Sequence, residues 1–597
     1  MQFVDFQNTH AMLSATVDRH RERPAYRWFT QPGVTAAVTW GEFYDQVRQV
    51  SKALMAIGVT PGDKVTIVSY SCYRWVLTDM GITCAGGVTV GIYQSSLSQD
   101  CRHIIDHSDA VIAFAEDNRQ LDKLFDIRPH IPKVRKVVLF SGRVPDDDWV
   151  MGFEDFLALG RDIPDADFQQ RARSTGPQDP AGIVYTSGTT GVPKGAVLTH
   201  DNITFTAQSV QGSTRIEDDD EVFLFLPLAH VFARTCVYAT LLMGCTTTFT
   251  RSMETVVEDM QACRPHWFAS VPRIYEKVYS KVISGAEAKG GAALKIFNWA
   301  RALGERVSDL KVAKKPVPLC LGLQYALATR LVFGKIQAAL GGRVRWCISG
   351  AAPLNPEIGR FFHAAGVLVL EGIGMTENTS FSHLNRCDNY RFGWVGQPGP
   401  GIAHKTAEDG EVMIRGRNVM QGYYKMPAET AATITPDGWL LTGDIGEIDS
   451  EDFLRITGRK KELIITAGGK NIAPAAIEGA IATSKYINQV CVIGDRRKFL
   501  SALVTLDAET VGAWAAAEGI AFRDIQDLMA NLKVKALIEA EIAATNQRFA
   551  GYESVKRVSI VPEFTIENGF LTPTLKLKKN LVSHRYAEII DAMYPGD

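Results

Sequence analysis

The sequence carries ten cysteines in 597 residues, and nowhere a Cys-x-x-Cys or a His-Glu-x-x-His. Cysteines spread singly, without ligand spacing, exclude a disulfide framework or a zinc cluster as the basis of the fold. An excess of one charge is missing too: 64 Lys and Arg face 66 Asp and Glu, a net charge of −2, so no global positive field points to nucleic acid. Long hydrophobic runs are scarce. The uncharged stretch from Thr235 to Thr250 has sixteen threonine-rich residues, where a spanning helix needs about twenty mostly apolar ones. The opening "MQFVDFQNTHAMLSATVDRHRERPAY" has no apolar run leading to small residues and reads as an amphipathic helix. These absences lead us to expect a globular protein of a reducing cytoplasm. Its length exceeds one core and suggests about three or four folding units.

What is present has a clear rhythm. Short apolar runs such as "KVTIVSY" and "VTVGIY" alternate with helical stretches such as "YRWVLTDMGITCAG", and the pattern returns in "RVRWCISG", "NPEIGRFFHAAG" and "VLVLEGIG". That alternation predicts doubly wound α/β layers with ligands beyond the carboxyl ends of the strands. Between residues 405 and 458 the texture becomes turn-punctuated short strands, "EDGEVMIRG", "PDGWLLTGD" and "IGEIDSEDFLRITG", which predicts a small β-rich subdomain. The basic stretch "RKKELIITAGGKN" follows Gly458, and strand and helix signals resume after it. We therefore expect an N-terminal domain over 1–458 and a smaller α+β domain over 459–597. From Lys277 to Arg345 there are thirteen Lys or Arg against three Asp or Glu. This reads either as a solvated helical insert or as a basic face for anionic membrane lipids, a peripheral contact at the inner side of the membrane.

The densest motif is "YTSGTTGVPKG", Tyr185 to Gly195. Glycines let backbone N–H groups approach phosphate oxygens, hydroxyls add donors, and lysine adds a charge. It is not the Walker loop: counted from Gly188, Pro193 stands where the second glycine belongs and Gly195 where the hydroxyl belongs. "AVLTH" after it is strand-like, so the loop should join two strands and not open a helix. Taken locally, a glycine-rich turn without function is the lesser alternative.

Further motifs follow in order: "GMTEN" at 374–378, "GYY" at 422–424, "GWLLTGD" at 438–444 and "GRKKELIITAGGKNIAP" at 458–474. Together they resemble the adenylate-forming superfamily of acyl-CoA synthetases, peptide-synthetase adenylation domains and luciferases. "FLPLAHVFAR", "SVPRIYEKV" and "LTPTLKLKK" are similar to its long-chain fatty acyl-CoA synthetase branch. The resemblance implies a ligase that uses ATP, Mg²⁺ and coenzyme A, makes an acyl-adenylate from a long-chain fatty acid, and then lets the CoA thiol displace AMP. A smaller C-terminal domain that moves between the half-reactions is also implied. The alternatives are an acyl-AMP ligase serving a carrier protein and a catalytically silent nucleotide-binding protein.

Residue by residue, the resemblance implies that Thr186, Ser187, Gly188, Thr189, Thr190, Gly191 and Lys194 surround the phosphates. Ser349, Gly350, Ala351 and Ala352, with Glu371, Gly372, Ile373, Gly374, Met375 and Thr376, line the adenine. Many relatives stack an aromatic ring where this chain has Ile373, so apolar contact replaces stacking. Glu377, supported by Thr186, is the Mg²⁺ ligand; by itself a Thr-Glu pair would be a helix cap. Asp444 accepts the ribose hydroxyls and Arg459 stands beside it. Lys576 inserts between carboxylate and α-phosphate, with Lys578 the second choice; by local pattern either is a basic edge strand. His230 lies on the substrate side and is not assigned as a base. Gly468, Gly469 and Lys470 present a path to the pantetheine arm, and Lys461 is the hinge.

Overall fold

The computed structural model describes residues 2–186, 192–572 and 576–595. Two large sheets dominate. The first runs in the spatial order Gly422–Tyr423, Lys194–Thr199, Pro180–Thr186, Val88–Ile92, Lys64–Val68, Ala110–Ala115, Lys136–Leu139 and Val150–Gly152. From Pro180–Thr186 outward its strands pair in parallel. Helices such as Tyr73–Cys84 and Ser98–Ser108 make the crossovers, as the alternation of apolar runs requires.

The second sheet has a parallel centre, Leu368–Ile373, Trp346–Ser349, Trp267–Ser270, Glu221–Leu224, Thr246–Phe249 and Pro24–Gln31, with antiparallel strands at both edges. Its register sets Ser270 beside Ser349 and Ser349 beside Glu371, so the carboxyl ends of three strands form one rim. The uncharged stretch at 235–250 is interior: it forms most of the buried helix Val231–Met243 and then the strand Thr246–Phe249. The N-terminal helix Thr9–His20, capped by the Asn8 side chain, packs Met12, Leu13 and Val17 into the same core.

The β-rich part is a four-stranded antiparallel sheet of Ala403–Thr406, Glu411–Arg415, Leu440–Ile448 and Leu454–Arg459. Beyond it, Ile487–Ile493, Leu500–Leu506 and Val555–Ile560 form a three-stranded sheet covered by helices including Pro474–Ile481 and Leu532–Asn546. Its cores draw only on residues from Ile464 onward. The fold is thus α/β with a large N-terminal body, a β-rich part and a smaller α+β C-terminal region. The segment rich in Lys and Arg folds as helices: Pro272–Lys289, Gly291–Val312, and Leu319–Ala328 continued by a π-turn into Gly334–Ala339. That last run, Leu319–Ala339, is long and apolar enough to cross a membrane, which the sequence reading did not anticipate.

Candidate functional site

The loop expected to join two strands does so: Pro180–Thr186 and Lys194–Thr199 pair antiparallel, with Thr186 opposite Lys194. Ser187, Gly188, Thr189, Thr190 and Gly191 lie outside the described residues. Thr186 stands half-buried at the strand end, its hydroxyl donating to the Lys194 carbonyl oxygen at 3.4 Å. The Lys194 ammonium pairs with Glu429 and lies 5.2 Å from the Tyr423 ring centre.

The adjoining strand pair fixes the next segment. Gly422–Tyr423 adds to the edge of Lys194–Thr199 and aims the Tyr423 hydroxyl at Glu377, donating at 2.6 Å to one carboxylate oxygen. Glu377 sits in a single 3₁₀ turn, Thr376–Asn378, and is buried, while its carbonyl oxygen accepts from the Met420 N–H at 2.8 Å. The turn must lie close to the chain that follows it. A Cβ on Gly374 would come 1.9 Å from the Ser380 carbonyl oxygen, so only glycine fits there.

Ile373, Gly374 and Met375 line a crevice with Asn378, Thr442 and Asp444. Asp444 is buried and accepts from the Arg459 Nε at 2.9 Å, because the antiparallel register places these two residues opposite each other. Glu371 turns elsewhere. Its carboxylate accepts from the Leu354 N–H at 3.0 Å and lines a neighbouring cavity with Tyr390 and Phe392, where burial pushes it up to about 7. On the rim, Gly350 faces the Phe232 ring, and Ala351 (φ +70°) and Ala352 are exposed. The Ser349 hydroxyl is buried without a hydrogen-bond partner among the described residues.

Lys576 arrives from the C-terminal region. Its N–H donates to the Thr572 hydroxyl at 3.1 Å, and its ammonium stands within electrostatic reach of Arg459, Asp444, Glu377 and Glu462. Over a third of the residue remains accessible, but it stands in a crowded cleft. Desolvation there lowers the ammonium below the ordinary lysine range, Arg459 adds repulsion, and the three carboxylates oppose both. His230 belongs to the same group. It caps the helix Val231–Met243, its Nδ1 accepting from the Phe232 N–H at 3.1 Å, and burial with the nearby Lys576 charge holds its pKa down to about 3. A neutral ring with Nδ1 accepting keeps its proton on Nε2.

The structure therefore brings together Glu377, Asp444, Arg459, His230 and Lys576, parts of the chain up to 346 positions apart. It does not bring Gly468, Gly469 and Lys470 to them. Those three sit on the hairpin between Ile464–Ile465 and Asn471–Ile472, exposed, with the Lys470 ammonium 5.6 Å from the Tyr552 ring centre. Lys461 is exposed in the turn just after the strand Leu454–Arg459. Lys578 is half-buried, with its N–H on the Phe570 carbonyl oxygen.

Comparison with known proteins gives the arrangement a family. The AMP-binding enzyme family matches residues 13–424, and the AMP-binding enzyme C-terminal domain matches residues 461–597. The chain belongs to the AMP-binding enzyme family. This AMP-binding enzyme is 34% identical to the long-chain-fatty-acid–CoA ligase FadD15 of Mycobacterium tuberculosis, over 98% of this chain and 97% of that protein. It is 30% identical to the human long-chain-fatty-acid–CoA ligase ACSBG2, over 93% and 88%. Two solved structures share its fold. One is the anthranilate CoA ligase AuaEII in complex with anthranoyl-AMP, with TM-score 0.75, 18% identity and coverage of 99% and 100%. The other is the A domain of a carboxylic acid reductase from Segniliparus rugosus in complex with AMP and a co-purified carboxylic acid, with TM-score 0.76, 21% identity and coverage of 98% and 93%.

Sequence reasoning assigned no role to two features of this AMP-binding enzyme. Tyr423 stood in the quoted "GYY", but its aim at Glu377 depends on a strand pairing that local pattern does not reveal. Behind His230, Arg234 pairs with Asp79 at 2.8 Å and with the Tyr238 hydroxyl at 3.1 Å, all buried, which ties the helix to the first sheet's crossover Tyr73–Cys84. A lone arginine in an apolar helix was the only signal for it.

Proposed function

We propose that this AMP-binding enzyme is a long-chain fatty acid–CoA ligase converting ATP, a fatty acid and CoA to acyl-CoA, AMP and pyrophosphate. The observation that carries the reading is the gathering of Glu377, Asp444, Arg459 and His230 within electrostatic reach of Lys576, with Asp444 at the edge of the crevice lined by Ile373 and Met375, in a chain 34% identical over nearly its whole length to a long-chain-fatty-acid–CoA ligase. In the first half-reaction a carboxylate oxygen attacks the α-phosphorus of ATP, and the bond to the bridging oxygen of the β-phosphate breaks, releasing pyrophosphate. An anion approaches a polyanion here, so repulsion dominates the barrier unless cations stand at the point of contact. We assign that role to Lys576, which has Glu377 and Asp444 within electrostatic reach.

Glu377 and the Thr186 hydroxyl offer the hard oxygen donors that suit Mg²⁺, and one Glu377 oxygen is already oriented by Tyr423. Bound there, the ion would neutralise phosphate charge. Asp444 takes the ribose hydroxyls, Ile373 and Met375 give the adenine an apolar wall, and we assign the phosphates to Lys194 and to Ser187, Gly188, Thr189, Thr190 and Gly191, whose hydroxyls and glycines suit them. Neutral His230 offers its Nε2–H to the substrate carboxylate and removes no proton. In the second half-reaction the CoA sulfur attacks the acyl carbonyl, AMP leaves with the bonding pair, and the thiol proton passes to solvent. We assign the pantetheine path to Gly468, Gly469 and Lys470, and the change of state to a hinge at Lys461 between units 1–458 and 459–597. The protein would work in the cytoplasm.

The test is a paired assay. Fatty-acid-dependent exchange between pyrophosphate and ATP should appear together with thioester on free CoA. Exchange without thioester would instead identify an acyl-AMP ligase serving a carrier, and absence of exchange a silent nucleotide binder.

A further inference from the structure

The run Leu319–Ala339 presents four leucines to solvent at intervals of four: Leu319 is 87% exposed, Leu323 75%, Leu327 51% and Leu331 46%. Its opposite side is held by the protein. Leu321, Ala328, Phe333 and Ile336 are buried, and the Tyr325 hydroxyl donates to the Ala364 carbonyl oxygen at 3.0 Å. A soluble surface rarely leaves such a row open without a use.

The run's length suits a membrane span, yet the packed face and two charges, Arg330 and Lys335, argue for a helix lying flat. Those two cations are exposed among the leucines, and Lys314 and Lys315 are exposed just before them. The segment's three carboxylates are each paired away from the leucine row: Glu287 with Lys485 and Asp309 with Arg360 outside the segment, and Glu305 with Arg301 on the preceding helix. What remains is an apolar row fringed by cations, in a chain of net charge −2.

We propose that this face docks on an anionic lipid surface. The leucines enter the boundary between headgroups and acyl chains, and Arg330 and Lys335 reach lipid phosphates with their stems along the apolar row. On the ligase reading above, on which only this consequence rests, docking places the enzyme where long-chain acids partition.

The full-length protein should sediment with phosphatidylglycerol–phosphatidylcholine vesicles more than with phosphatidylcholine alone, and less as salt rises. The double variant Leu323→Ser/Leu327→Ser should weaken this binding at least about tenfold. Arg330→Gln and Lys335→Gln should each reduce it about fivefold and narrow the preference for anionic lipid. Equal binding to both vesicle types, or unchanged binding by the leucine variant, would overturn the proposal. So would a dimer in sedimentation velocity that Leu323→Ser/Leu327→Ser dissolves, since a second copy would then be the occupant. Turnover of dissolved fatty acid without vesicles should match wild type in all three variants, which checks folding. Its absence from wild type as well would count against the ligase reading and leave the vesicle result standing.

Discussion

The Lys576 crevice and the hairpin at Gly468 and Gly469 belong to the same C-terminal region, and they are built in opposite ways. Around Lys576 charges of both signs converge and crowd out water enough to depress the ammonium. Around the hairpin there is almost nothing: a Cβ on Gly468 would find only the Thr466 hydroxyl at 4.0 Å, and one on Gly469 (φ +74°) nothing within 4 Å. With open space where its Cβ would stand and no positive φ, Gly468 has no steric reason to be glycine. On the mechanism proposed above, the contrast is that of the first of two arrangements, in which Lys576 serves adenylation and the hairpin meets its partner surface only after the region turns.

The largest expected effect breaks the engaged side. Lys576→Ala should slow fatty-acid-dependent pyrophosphate exchange by roughly a hundredfold or more, yet leave the conversion of preformed acyl-adenylate to thioester near normal. If both half-reactions fell together, the division of labour between the two regions would be lost.

Gly468→Leu tests the waiting side and should have the next largest effect. The side chain meets no clash in the arrangement described here, so adenylation and melting temperature should stay near wild type. Thioester formation should fall by some tens of times, because the branched side chain would block a thin ligand passing the backbone. A normal thioester step would refute the assignment of this hairpin to pantetheine.

Tyr423→Phe sharpens the crevice side at a smaller scale. It removes the hydroxyl that donates to buried Glu377 at 2.6 Å, a hydrogen bond to a charged acceptor, so adenylation should drop about tenfold. The loss should shrink at high Mg²⁺ if Glu377 is the ligand, and unaltered Mg²⁺ dependence would separate Tyr423 from metal binding.

How much of this could be read from sequence depends on the range of each interaction. The α/β layering was legible because strand and helix periods are local, and runs such as "KVTIVSY" carry them. The hairpin nature of the glycine-rich loop was legible from "AVLTH" alone. Glu377, Asp444, Arg459 and Lys576 carried no decisive local signal; resemblance named them, and only folding places them together. Tyr423 and the Arg234–Asp79 pair were not assigned because each depends on a partner 46 or 155 residues away. The leucine row at 319–331 was missed for a related reason: spacing shows a helix face, but what packs against it decides whether that face is core or surface.

The smallest expected effect concerns His230, the crevice residue whose charge state matters most to the comparison. Its pKa falls from the ordinary 6.5 to about 3, through burial first and the Lys576 charge second. Between those two values the unfolded chain binds a proton that the folded protein refuses, so stability rises with pH across that window and is lost as pH falls below about 6.5. From pH 7.5 to 6 the cost from this one ring should be about 1 kcal/mol. His230→Gln cannot titrate, so its unfolding free energy should fall less than wild type's over the same interval, measured by urea denaturation. Lys576→Ala should leave most of the wild-type dependence in place, because burial is the larger cause. If it abolished the dependence instead, the lysine and not desolvation would set the charge of the ring, and the crevice would be wetter than its packing indicates.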